Sequence, residues 1–88
     1  MRYRIELSNH ATRDFDQLSR DTQDRMIKRL EQLADAPYDP RFSGQLVNQG
    51  GMRKSRVGGW RMLFTVDEPK RTLNVVTIEQ RGQVYKRM

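Results

Sequence analysis

The chain has no cysteine and a single histidine in its 88 residues. Without thiols there is neither a disulfide framework nor a zinc ribbon, and no His/Cys cluster is available to hold a transition metal. No apolar run approaches the roughly 20 residues that a membrane span needs, and no charged leader followed by an apolar stretch is visible. These absences predict a cytoplasmic protein with no metal, no small-molecule cofactor and no membrane partner. Hydrophobic residues are also scarce, at 35% of the chain with a mean hydropathy of −0.92. Residues 1–88 should therefore form one small domain around a thin core. Repeats, low-complexity tracts and interdomain linkers are missing.

Acidic residues are in deficit, and the deficit is local. Residues 1–49 carry eight Lys/Arg and eight Asp/Glu, whereas residues 50–88 carry nine and three, so the whole net charge of +6 lies in the second half. Thirteen of the seventeen cations are arginine, whose planar fork suits phosphate. A neutral scaffold followed by a basic segment is the electrostatic footprint of nucleic-acid binding, and an acidic protein partner fits it too.

The opening segment Arg2–Leu7 alternates, with Tyr3, Ile5 and Leu7 on one face, and reads as a half-buried strand. Ser8 or Asn9 can cap a helix carrying Ala11, Phe15 and Leu18 on its apolar side. Ser19 to Asp21 reads as a joint and a new cap. A second helix then runs to about Ala36 with Met26, Ile27, Leu30, Leu33 and Ala34 as its stripe, and Pro37 stops it. Residues 37–51 read as a loop pinned by Phe42 and Leu46. Asp67 to Lys70 is a turn, and Thr72–Glu79 a last strand in which Leu73, Val75 and Thr77 alternate against Asn74, Val76 and Ile78. The order β-α-α-β-β-β predicts an α+β fold, an αα-hairpin packed on a small twisted antiparallel sheet. His10 reads as a surface or capping residue, Trp60 as hairpin packing, and Met26, Met52 and Met62 as core filler. Glu79 reads as a solvated strand end, with a pairing to Arg61 or Arg81 as the alternative.

The stretch Met52–Phe64 organises the rest. Two alternating runs flank Gly58-Gly59, and a primed hairpin turn needs the positive φ that glycine supplies. Taking the glycines as the turn sets Val57 opposite Trp60, Arg56 opposite Arg61, Ser55 opposite Met62 and Lys54 opposite Leu63. Lys54, Arg56 and Arg61 then share one face. Opposed like charges cost a few tenths of a kcal/mol, in the order of magnitude of other cross-strand pairs. Three cations held together at a cost suggest a site for a polyanion, against the plainer reading of a solvated basic face.

The run Lys54-x-Arg56-Val-Gly-Gly-Trp-Arg61-Met-Leu-Phe, followed by Gln80-Arg81-x-x-Val-Tyr85 in this element order, resembles the RelE/ParE superfamily of toxins. The resemblance covers essentially the whole chain and implies a RelE-like fold. For RelE-like members it implies a metal-independent endoribonuclease that cuts messenger RNA in the ribosomal A site, the ribose 2′-hydroxyl attacking the adjacent phosphate. It also implies a cognate antitoxin lying across the basic sheet or the αα-hairpin. By the same resemblance the catalytic set is Lys54, Arg56, Arg61, Arg81 and Tyr85. Lys54 and Arg56 match the basic pair on the first hairpin strand. Arg61 matches a clamp for the transition-state phosphate, and Arg81 a second clamp and donor to the leaving oxygen. Tyr85 matches a tyrosine that stacks on a base or orients the 2′-hydroxyl.

Two positions depart from the pattern. Gln80 stands where relatives with conventional acid–base chemistry can carry histidine or glutamate, and Arg56 stands where lysine can sit. A guanidinium is a poor base, which leaves Lys54, crowded by two arginines, as the candidate proton acceptor. The alternatives are a ParE-like inhibitor of DNA gyrase that cuts nothing, and a degenerate RNA-binding member.

Overall fold

The computed structural model describes residues 2–46 and 50–80. Strand β1 (Arg4–Leu7) leads directly into α1 (Asn9–Asp16), because Ser8 accepts a hydrogen bond from the Ala11 N–H at 3.0 Å and caps the helix. Ser19 repeats the device for α2 (Arg20–Asp35), accepting from the Thr22 N–H at 3.2 Å. The helix stops at Ala36, before buried Pro37. Both caps and the joint are where the sequence placed them. Along the α2 stripe Met26, Leu33 and Ala34 are buried and Leu30 is half-buried, but Ile27 is 46% exposed and falls outside the core.

The predicted α+β architecture is present, and its sheet is mixed. Its order is β1-β5-β4-β3-β2, with β2 at Gly44–Gln45, β3 at Arg53–Val57, β4 at Trp60–Asp67 and β5 at Thr72–Gln80. Strand β1 lies parallel to β5, Ile5 facing Leu73 and Leu7 facing Val75, whereas the other pairings are antiparallel. The two helices between β1 and the meander form the crossover that a parallel pairing needs. A second departure is β2, two residues inside the expected loop, paired with Arg53 and Lys54. A third is a bulge in β5: Leu63 faces Thr77 but Phe64 faces Val75, so Val76 has no partner on β4. The bulge shifts the alternation by one residue. Leu73, Val75 and Ile78 all reach the core as a result, while Val76 is 37% exposed and Thr77 turns to the opposite face.

The core lies between the helices and one sheet face. Phe64, Met26, Leu33, Met62 and Leu73 are fully buried, each contributing about 1.5–3 kcal/mol by leaving water. Ile5, Leu7, Phe15, Phe42 and Trp60 pack around them, half-buried. Met26 and Met62 are core residues as read; Met52 is only half-buried.

Where β1 ends, α1 takes over the outer edge of β5. The Ser8 N–H donates to the Val75 carbonyl at 2.9 Å and its hydroxyl to the Val76 carbonyl at 2.7 Å. Farther along, the Asp14 carboxylate accepts the Ile78 N–H at 3.0 Å and the Thr77 hydroxyl at 3.1 Å. Burial works against the Asp14 charge, but these bonds and His10, whose Nδ1 lies 2.9 Å away, hold its carboxyl below the usual range. His10 is thereby an exposed helix-start residue that braces Asp14 against β5.

At the other end of the sheet, Glu68 in the β4–β5 turn gathers two tyrosines. The Tyr3 hydroxyl donates to it at 2.8 Å, and the Tyr38 hydroxyl donates to the same carboxylate. These bonds hold the Glu68 carboxyl below its ordinary value and push Tyr38 up to about 12. A tyrosine raised in the fold stabilises it fully below about pH 10, and that contribution fades as pH rises through the folded value. Glu68→Gln should therefore shift tyrosinate absorbance to lower pH in a spectrophotometric titration; an unchanged curve would show that the tyrosines ionise independently of Glu68.

Candidate nucleic-acid interface

The β3–β4 hairpin has the register read from its glycines. Val57 faces Trp60, Arg56 faces Arg61, Ser55 faces Met62 and Lys54 faces Leu63. Of the two turn glycines only Gly58 has a positive φ, at 60°, the sign pattern of a type II′ turn. Ser55, Val57 and Met62 are buried against the helices. By alternation Lys54, Arg56 and Arg61 stand together on the opposite face, away from the core that α1 and α2 cover.

Strand β5 completes the arrangement by setting Glu79 opposite Arg61. The Arg61 Nη2 lies 3.5 Å from Glu79 Oε1, with both side chains more than a third exposed. The order across this rung is Arg56, Arg61, Glu79, so the carboxylate offsets part of the repulsion between the opposed arginines and orients one of them. Lys54 and Arg56 have no carboxylate within ion-pair distance among the described residues. Arg81 and Tyr85 lie outside the described residues.

Two further cations join this face from elements that sequence reasoning had not assigned to it. Strand β2 begins only at Gly44, opposite Lys54, so β3 beyond Lys54 has no strand partner on its outer side. Arg29 of α2 fills that position. Its Nη1 donates to the Ser55 hydroxyl at 3.0 Å and to the Arg56 carbonyl, and its Nε to Gln32 Oε1 at 3.0 Å. Its guanidinium also lies over the Phe42 ring, 5.2 Å from the centroid, and Arg41 lies 5.0 Å from the same ring. Arg29, Arg41, Lys54 and Arg56 line a cleft of about 250 Å³ at this edge, with Phe42 in its wall. Arg29 had a weak signal in sequence, one basic residue beside another on a helix; Arg41, in a loop bearing Pro40 and Phe42, had a slightly better one.

Chemically the face offers cations beside an aromatic ring, and three of them, Arg29, Lys54 and Arg56, have no acidic partner among the described residues. That set can bind a phosphodiester and stabilise added negative charge on it. Among the described residues no group of three or more His, Cys, Asp or Glu is placed to hold a metal, and no helix is long and apolar enough to cross a membrane.

A family model described as the ParE toxin of type II toxin–antitoxin system, parDE, matches residues 5–85. No curated protein sequence matches significantly. Several solved structures share the fold. The chain is similar to one from the Mycobacterium tuberculosis toxin–antitoxin complex RelBE2, at 20% identity and TM-score 0.82 over 92% of this chain and 100% of that one. It is also similar to one from the archaeal RelE–RelB complex of Pyrococcus horikoshii, at 18% identity and TM-score 0.80 over 94% and 99%. A mutant of E. coli toxin RelE in complex with a peptide of its antitoxin matches at 18% identity and TM-score 0.82, over 99% and 94%.

Proposed function

This chain belongs to the RelE/ParE superfamily of type II toxins, and from that premise we propose that it is a ribosome-dependent endoribonuclease that cuts messenger RNA in the A site. The observation that carries this reading is the cluster of Lys54, Arg56 and Arg61 on the sheet face away from the core. In the proposed reaction the ribose 2′-oxygen attacks the neighbouring phosphorus and the bond to the 5′-oxygen breaks. The products are a 2′,3′-cyclic phosphate and a 5′-hydroxyl. Lys54, acting as the free amine, takes the 2′-hydroxyl proton, the leaving 5′-oxygen is protonated as its bond breaks, and Arg56 and Arg61 hold the non-bridging oxygens as charge builds on them. Arg81 is assigned to the leaving oxygen and Tyr85 to the adjacent base.

A cognate antitoxin is the natural partner, since solved relatives of the same fold are RelE–RelB complexes. A proteinaceous inhibitor of a basic catalytic face would neutralise it with acidic side chains or cover it.

The match to a ParE family model favours a second reading, a gyrase inhibitor that leaves RNA intact. Primer extension on a reporter messenger after induction of the toxin separates the two. Cuts within translated codons are expected for the nuclease, and growth arrest with an intact messenger would overturn it in favour of gyrase.

A further inference from the structure

Two clefts, not one, meet at Arg29. Besides the hairpin-edge cleft, a second of about 280 Å³ lies between α2 and the hairpin turn, lined by Arg25, Lys28, Arg29 and Gln32 with Val57 and Gly58. The turn offers no side chain at Gly58 to close it: a Cβ there would come within 3.6 Å of Arg25 Nη1. Arg25 shares its charge with Asp21 at 3.3 Å, but both side chains are well exposed. Lys28 is exposed and has no carboxylate at ion-pair distance among the described residues. The sequence half that sums to zero charge thus brings three of its eight cations, Arg25, Lys28 and Arg29, to one cleft between α2 and the hairpin turn.

We propose that the phosphodiester track of this toxin does not end on the hairpin but turns over the outer edge of β3 and continues along α2, through the cleft of Arg25 and Lys28. The inference rests on the RNA-cleaving reading and adds a second contact region to it. Arg29 is the shared wall, fixed by its bonds to Ser55 and Arg56. A larger hollow of about 710 Å³ lies at the far end of the sheet and is the rival route. Arg2, Arg4, Lys70 and Arg71 line it, but so do Glu6 and Asp67, and Arg4 lies 3.8 Å from Glu6. A polyanion there meets two carboxylates, whereas among the described residues no Asp or Glu lines the α2 cleft.

Phosphate contacts release counterions, so each one shows in the salt dependence of binding. The probes are a single-stranded RNA made uncleavable by 2′-O-methylation, and ribosomes programmed with a messenger methylated at the A-site codon. For Lys28→Gln the slope of log K against log salt should fall by about 0.7 for the single strand, and Arg25→Gln/Lys28→Gln should reduce it further. Lys54→Gln should lower it similarly. A fall on ribosomes but not on the free strand would also support the track and assign its α2 portion to ribosomal RNA. A fall for Lys54→Gln alone would overturn the inference and leave the RNA reading standing. No fall for any variant would overturn both.

Discussion

Replacement of Arg61 by alanine should slow single-turnover cleavage of a messenger on programmed ribosomes by about 10²–10³-fold, the effect of removing one preorganised donor from a developing oxyanion. The thermal midpoint should barely move. Arg61 and its partner Glu79 are each more than a third exposed, and a pair in that setting contributes about 0–1 kcal/mol to stability. Removing Arg61 also relieves its opposition to Arg56. Arg61→Lys keeps the charge but loses the fork, so it should fall between wild type and alanine. Unchanged cleavage in Arg61→Ala would show that the hairpin face is not where the phosphate sits. A collapse in thermal stability would show a structural arginine mistaken for a functional one.

The hairpin was legible because everything that sets it is local. Two glycines supply the turn, and alternation on either side allows one register that buries Val57 and Met62. The helix caps were legible for the same reason, a serine ahead of an apolar stripe. What escaped depends on partners distant in sequence. Nothing within Arg4–Leu7 says whether its neighbour runs parallel or antiparallel; the direction is set by β5, some seventy residues on. The bulge at Val76 has no glycine to announce it. The plain alternation predicted Ile78 on the face of Val76, and the core overrode it because burying Leu73, Val75 and Ile78 together outweighs one lost ladder position. Ile27 belonged to the helical stripe by period alone, yet it stays exposed.

The candidate site divides along the same line. Lys54, Arg56 and Arg61 share a face by hairpin arithmetic and needed only the register. The pairing of Arg61 with Glu79, held in the sequence as the alternative to a solvated strand end, depends on the β4–β5 register and is what the structure adds. Arg29 and Arg41 could not be assigned from periodicity, because a helix period marks which residues face inward and says nothing of which outward cation meets a strand edge. The edge exists because β2 begins no earlier than Gly44, which leaves Ser55 and Arg56 beyond the ladder.

That edge makes Arg29 the residue whose loss should cost the fold most among the cations. The Ser55 hydroxyl is buried at 1% exposure and donates or accepts nowhere else than at Arg29 among the described contacts. Arg29→Met strands it, at about 1–3 kcal/mol for an unsatisfied buried polar group. It also strips one cation from the Phe42 ring, worth roughly 0.5–1 kcal/mol. The Arg56 carbonyl is exposed enough for water to replace its donor. A total of about 2–4 kcal/mol is a large part of a small domain's stability and should lower the melting temperature by roughly 10–20 °C. Ser55→Ala alone also leaves a guanidinium donor short of a partner, but that donor can reach water. In the double variant Arg29→Met/Ser55→Ala both polar groups are gone, and most of the stability lost in Arg29→Met should return. Cleavage should not return with it, because Lys54 and Arg56 sit on the strand whose outer side Arg29 holds. Recovery of both stability and cleavage would reduce Arg29 to a cap for Ser55. Recovery of neither would mean that its contact with Phe42, which fixes the loop bearing Arg41, outweighs its bond to the strand.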